Sequence, residues 1–345
     1  MGLQEFWFIL IAVLFTGYFV LEGFDFGVGM LMPTLGKTDT RRRVLINTIG
    51  PVWDGNEVWL IVGGGAMFAA FPHWYATLFS GFYLPLLIIL VALILRIVAI
   101  EWRGKIDDDK WRWRADLGIM IGSWVPAVLW GVAFANIVRG VAINADKKVT
   151  ASFFDLLNPY ALLGGITTAL VFALHGAVFI ALKTADDVRV DAAELAKKLA
   201  IPTVPIAGGF VLWTQMAYGK GWTWILVAIA AAAVVALVAL TRAEREGWAF
   251  ALTTIAIIAT VVLLFASLYP NVMPSTTDPA YSLTIENASS SPYTLKVMSW
   301  AAVILTPIVL VYQGWTYWVF RKRLSTKQIP PSIGLPRKPG SMNAV

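Results

Sequence analysis

The sequence predicts an all-α integral membrane protein of about nine transmembrane helices, and three observations carry that reading. Of 345 residues, 58% are apolar and only 14% charged, and the mean hydropathy is +0.71. A water-soluble domain of this size needs more polar surface than that. Uncharged stretches such as residues 85–95 and 225–240 read as helices crossing lipid. The basic residues, finally, fall in the connections between such stretches rather than on one amphipathic face.

In chain order, hydrophobic windows bounded by Gly, Pro and charge predict spans at residues 6–32, 52–71, 75–100, 115–138, 159–182, 199–218, 222–240, 248–269 and 294–320. The first follows Glu5 with no basic segment ahead of it and is too long for a cleaved signal peptide, so it reads as a retained span. The sixth is interrupted by Pro202, Pro205 and the Gly208–Gly209 pair, which predicts a kinked or broken helix. Residues 270–292 form the longest outer connection and include the sequon Asn287-Ala288-Ser289, which has meaning only in a eukaryotic chain. The expected division is a helical membrane domain over residues 1–323 and a proline-rich, disordered cytoplasmic tail over 324–345.

Placing the amino terminus outside puts 21 Lys and Arg on inner connections, five on outer ones and Arg96 within a span. That bias predicts an odd number of crossings, with the amino terminus out and the carboxyl terminus in. It also explains the net charge of +6 as membrane topology, without a nucleic-acid partner. The absence of cysteine excludes disulfides, iron–sulfur clusters, thiolate-ligated haem and Cys-based zinc sites. Two histidines, His73 in an outer turn and His175 within the fifth span, are too few for a copper–haem site of the many-histidine kind. His175 reads as a hydrogen-bonded packing residue.

Ionisable side chains within spans cost at least ~2.5 kcal/mol each when unpaired, so they mark function or pairing. Glu22 and Asp25 lie near the end of span one, Asp54 and Glu57 near the start of span two, and Arg96 and Glu101 at the end of span three. With the spans alternating in direction, all six fall at the inner side and form one polar cluster suited to ion pairing or proton handling. A bland reading stands beside this one: Asp54 in a first helical turn favoured by the dipole, and Arg96 and Glu101 snorkelling to the interface. Glycines 23, 27 and 29 and glycines 63, 64 and 65 read as helix-packing positions. The tryptophans, Trp53, Trp59, Trp74, Trp102, Trp111 and Trp113 among them, read as an interfacial aromatic belt.

Specific motifs then resemble a known family. The stretch Glu22-Gly-Phe-Asp-Phe-Gly-Val-Gly29, Arg41-Arg-Arg and Pro51-Val-Trp-Asp-Gly-Asn-Glu-Val-Trp59 is similar to the opening of the second subunit of cytochrome bd-type quinol oxidases. Phe79-Ser-Gly-Phe-Tyr83, Met273-Pro-Ser-Thr-Thr277 and Val297-Met-Ser-Trp300 extend the resemblance through the ninth span. The resemblance implies two four-helix bundles plus one peripheral helix. It further implies a larger partner, subunit I, that holds two b haems, haem d and the quinol site, while this chain binds no cofactor or metal and has no catalytic residue of its own. Small single-span accessory subunits and lipids are further partners it allows, in a bacterial or archaeal plasma membrane. By similarity, Asp54 lines a proton-input route from the cytoplasm, supported by Asp25 and Arg96. Alternatives from other classes are a secondary transporter, whose signature would be matched broken helices, and a purely structural membrane subunit.

Overall fold

Backbone polar groups find no water in hydrocarbon, so each long apolar stretch closes its own hydrogen bonds as a helix. The computed structural model describes residues 2–331 and 334–336, and within them every side chain except those of residues 241, 242 and 336. These residues form eleven α-helices: α1 (Leu3–Leu35), α2 (Asp39–Ile49), α3 (Trp53–Ala70), α4 (Pro72–Gly81), α5 (Tyr83–Trp102), α6 (Asp109–Arg139), α7 (Pro159–Lys183), α8 (Asp186–Tyr218), α9 (Trp224–Arg242), α10 (Glu246–Leu268) and α11 (Pro292–Val319). Four strands of two or three residues lie in the connections, β1 (Ile106–Asp107) parallel to β4 (Leu335–Pro336) and β2 (Asn271–Met273) antiparallel to β3 (Leu283–Thr284).

Helix starts follow local chemistry. Asn158 and Ser291 each accept a backbone N–H of the first turn, with Pro159 and Pro292 as the next residues, while Thr38 and Asp108 cap α2 and α6. Among the described residues, eight helical segments are long and apolar enough to cross a membrane. α3 occupies the second predicted span but is not one of the eight, because its 18 residues include Asp54, Asn56 and Glu57.

Two predicted spans are drawn differently. The third divides into α4 and α5 at Phe82, so that His73 sits exposed in the first turn of a helix rather than in a turn. The sixth continues the preceding connection as one 33-residue helix, α8, running unbroken through Pro202 and Pro205. Within a packed membrane helix, neighbouring groups satisfy the carbonyls that proline frees.

α1 is the hub, packed against α3, α6, α7 and α10, while α7 to α10 neighbour one another in sequence order. At the crossing of α1 with α7, Gly27 lies against the carbonyl of Phe172 and the backbone of Gly176, so any side chain at Gly27 would push the helices apart. A side chain at Gly64 or Gly65, by contrast, would enter open space, with no atom of another element within 4 Å of its Cβ. α11 is peripheral, touching α1 and α3 and burying only Leu295.

The basic connections gather at one end of the helices. There Arg41 bonds Asp191 (2.5 Å), Arg42 bonds Asp116 (2.9 Å), and Leu324 exchanges backbone hydrogen bonds with Lys183 and Ala185 (2.8 and 2.9 Å). The described part of the tail runs along this end, held also by Arg43 on the Pro330 carbonyl (2.7 Å) and by β4 on β1. Residues 332, 333 and 337–345 of the segment expected to be disordered lie outside the described residues. At the opposite end, Lys147 reaches the carbonyls of Tyr281 and Ser282 (3.2 and 3.4 Å), closing the connection between α10 and α11 against residues 141–150.

Candidate functional site

Three helices bring the polar residues together. Glu22 and Asp25 are three positions apart on α1 and share a face; both are completely buried. Arg96 projects from α5 with 1% of its surface exposed, and its guanidinium donates to Glu22. The same nitrogen reaches Glu57 of α3 at 3.5 Å, and the guanidinium stands 4.8 Å from the centre of the Phe26 ring. At the close crossing of α6 over α5, a side chain at Gly122 would meet the Ala92 carbonyl and the base of Arg96, so glycine is what fits there.

A second line of hydrogen bonds leaves Asp25. Its Oδ2 accepts from Asn56 Nδ2 (2.7 Å), and Asn56 Oδ1 accepts from the Tyr317 hydroxyl (2.6 Å). Gln313 donates to the same Asn56 oxygen at 3.5 Å and accepts from Trp59 Nε1 at 2.9 Å. The line thus runs from α1 through α3 to α11.

The cluster is not saturated. With both carboxyls ionised, Glu22 Oε2, Asp25 Oδ1, Arg96 Nε and Arg96 Nη2 are buried without a hydrogen-bond partner; Glu22 and Asp25 face one another, so one proton shared between them serves both oxygens, and the two Arg96 nitrogens stay open. Leaving a buried polar group unpaired costs about 1–3 kcal/mol, so these positions suit bound water or a shared proton. Among the described residues, no grouping of three or more His, Asp or Glu is placed to hold a metal ion.

Of the six residues singled out by sequence, Glu22, Asp25, Glu57 and Arg96 therefore meet. Asp54 and Glu101 do not enter the buried group; each lies exposed, Asp54 in the first turn of α3 and Glu101 near the end of α5. Sequence reasoning missed Asn56, Gln313 and Tyr317. Asn56 sat between Asp54 and Glu57 and was legible as a polar residue in a span; the other two gave no signal, because α11 meets α3 across more than 250 residues.

A second charged group lies just beyond the end of α5 and was not foreseen. Arg103 bonds both oxygens of Asp116 (2.5 and 3.2 Å) and Asp39 (2.8 Å), and Arg42 completes it on Asp116. Burial works against the charge of Arg103, but its bonds and attraction to Asp116 and Asp39 outweigh this and hold the guanidinium above its usual value. His175 behaves as read. It is fully buried, Nε2 donates to the Val20 carbonyl (3.1 Å), Nδ1 bonds Thr253 (2.6 Å), and the ring stacks on Phe250.

The fold and the site define a multi-pass helical membrane protein built around a buried group of carboxylates and one arginine. The family described as cytochrome bd terminal oxidase subunit II matches residues 3–320, and the chain belongs to that family. It is 46% identical over 332 residues to the cytochrome bd ubiquinol oxidase subunit 2 of Bacillus subtilis, covering 95% of this chain and 98% of the relative. To the cytochrome bd-I ubiquinol oxidase subunit 2 of Escherichia coli it is 38% identical over 365 residues, covering 95% and 96%. The bd oxidase structure from Geobacillus thermodenitrificans shares the fold, with a TM-score of 0.78 at 17% identity over 92% of this chain and 97% of that one.

Proposed function

We propose that the chain is the haem-free second subunit of a quinol:oxygen oxidoreductase in the bacterial plasma membrane, supporting a larger subunit I that carries two b haems and haem d. In this reading, residues 1–323 cross the membrane nine times as two four-helix bundles with α11 peripheral, amino terminus out and carboxyl terminus in. The grouping of the basic connections at one end supports that direction. The engagement of both His175 nitrogens within the protein supports a subunit that ligates no haem.

The chain's own contribution is a proton path from the cytoplasm. Asp54, exposed at the start of α3, is the entry acid; the buried group of Asp25, Glu22, Glu57 and Arg96 lies beyond it, and Asn56 and Tyr317 orient Asp25. Glu101, exposed near the mouth, contributes charge there. The observation that carries this reading is the set of unpartnered buried atoms on Glu22, Asp25 and Arg96. A purely structural ion-pair cluster would saturate its donors and acceptors, since each unpaired group weakens the fold. The transporter alternative asks for matched broken helices, and α8, its best candidate, is continuous.

The test is Asp54→Asn in the assembled complex, with oxygen consumption measured against haem content. Turnover per haem d is expected to fall while the reduced-minus-oxidised spectrum keeps its bands. Unchanged turnover removes the entry role from Asp54, and lost haem with normal turnover per surviving complex leaves a structural subunit.

A further inference from the structure

A cavity of about 490 Å³ opens at the basic end of the bundle between α1, α7, α10 and the last turn of α11. Its floor is apolar, formed by Val20, Leu21, Phe24, Phe179 and Phe250. Lys183, Arg321 and Arg323 line it as well, the two arginines exposed and Lys183 half-buried. The ammonium of Lys183 is held by the carbonyls of Phe320 and Lys322, and Arg321 stacks on Trp318 with 4.3 Å to the ring centre. Among the described residues, Glu246 is the one carboxylate paired with these three cations, meeting Arg323 at 3.5 Å, and it is itself shared with Arg189 at 2.5 Å.

We propose that this cavity is a binding site for an anionic glycerophospholipid, with an acyl chain on the phenylalanine floor and the phosphate on Lys183, Arg321 and Arg323. The chemistry follows from the two parts of the cavity. An apolar slot of this size suits one hydrocarbon chain, being within the usual range of about 300–1,000 Å³ for ligand sites. Basic residues clustered between membrane helices at an interface select a negative headgroup over a zwitterionic one. Trp318, beside Arg321, is an amphipathic ring of the kind that settles at headgroup level.

The site touches the polar group through one residue. Tyr317 forms part of the cavity wall and donates its hydroxyl to Asn56, which holds Asp25. A bound lipid therefore braces the α11 end of that hydrogen-bond line, and binding is read directly whatever protons do at Asp25.

The experiment uses the assembled complex, stripped with detergent and placed in nanodiscs of phosphatidylcholine alone or with phosphatidylglycerol, followed by native mass spectrometry and thermal unfolding. The wild-type complex is expected to retain one phosphatidylglycerol and to unfold at higher temperature with it. The triple substitution Lys183→Gln, Arg321→Gln and Arg323→Gln is expected to weaken that binding on the order of fivefold per charge removed. Leu182→Trp, which fills the slot and leaves the charges, is expected to abolish retention, whereas Lys198→Gln, an exposed lysine on α8 outside the cavity, is expected to change nothing. Retained haem bands certify that each variant assembles, and if the triple variant does not, Lys183→Gln alone is expected to show the single-charge effect. Equal retention of phosphatidylcholine, unchanged phosphatidylglycerol binding in the variants, or a neutral quinone in the slot would each overturn the proposal.

Discussion

Two charged groups stand a short distance apart in this protein and are built on opposite principles. Around Arg103, at the end of α5, every buried polar side-chain atom finds a partner: two carboxylates and a second arginine close on one another. Around Arg96, seven positions earlier and within α5, one guanidinium faces Glu22 and Glu57, with Asp25 close by, and four buried atoms on Glu22, Asp25 and Arg96 stay open. The first group holds α2, α5 and α6 together. The second spends stability on open polar positions, which the proposed proton path requires and a clasp does not.

The comparison breaks first at the arginines. Arg96→Met leaves Glu22 buried without its ion-pair partner and is expected to cost about 3–5 kcal/mol, seen as loss of assembled, haem-bearing complex from membranes. Arg103→Met, nearer the solvent and with Arg42 still on Asp116, is expected to cost about 1.5–3 kcal/mol, read as a lowered Tm with turnover per haem unchanged. Equal damage from both would erase the distinction drawn here.

Isosteric changes at the acids sharpen it. Asp25→Asn keeps the shape of the side chain and is expected to lower oxygen turnover on the order of 100-fold, the low end of what a positioned proton-transfer group contributes, with haem content retained. Asp116→Asn should do the reverse, lowering Tm and sparing turnover. The smallest effect belongs to Tyr317→Phe, which removes one hydrogen bond to Asn56 and is expected to cost about 0.5–1.5 kcal/mol with a partial loss of turnover; a loss as large as that of Asp25→Asn would place Tyr317 in the path itself.

How much was legible depends on contrast with the surroundings. Glu22, Asp25 and Arg96 stood out because a charge in an apolar stretch is conspicuous, and three of the residues that meet were found this way along with Glu57. Arg103 and Asp116 were hidden for the opposite reason, lying among the charges of residues 101–116, where nothing local marks a buried pair. The division between α4 and α5 was marked only by Ser80-Gly81 and Pro85 within a stretch that is otherwise apolar on both sides of Phe82. The two prolines of α8 allowed a kink or a break, and the break does not occur, because in a packed membrane helix neighbours make up for the lost hydrogen bonds.

The sequence by itself determined that this is a helical membrane protein, where most spans run, and which acids are too costly to be lipid-facing, because hydrophobic length and charge placement are local quantities that the bilayer reads residue by residue. Only the tertiary structure decided which of those acids share Arg96, that Asp54 stands outside their group, and that Asn56 and Tyr317 join it. Those outcomes depend on helix crossings set by single glycines, Gly27 against α7 and Gly122 against α5, and on the meeting of α3 with α11. Contacts between residues hundreds of positions apart leave no periodicity to read, so the packing of whole helices had to be known before the site was.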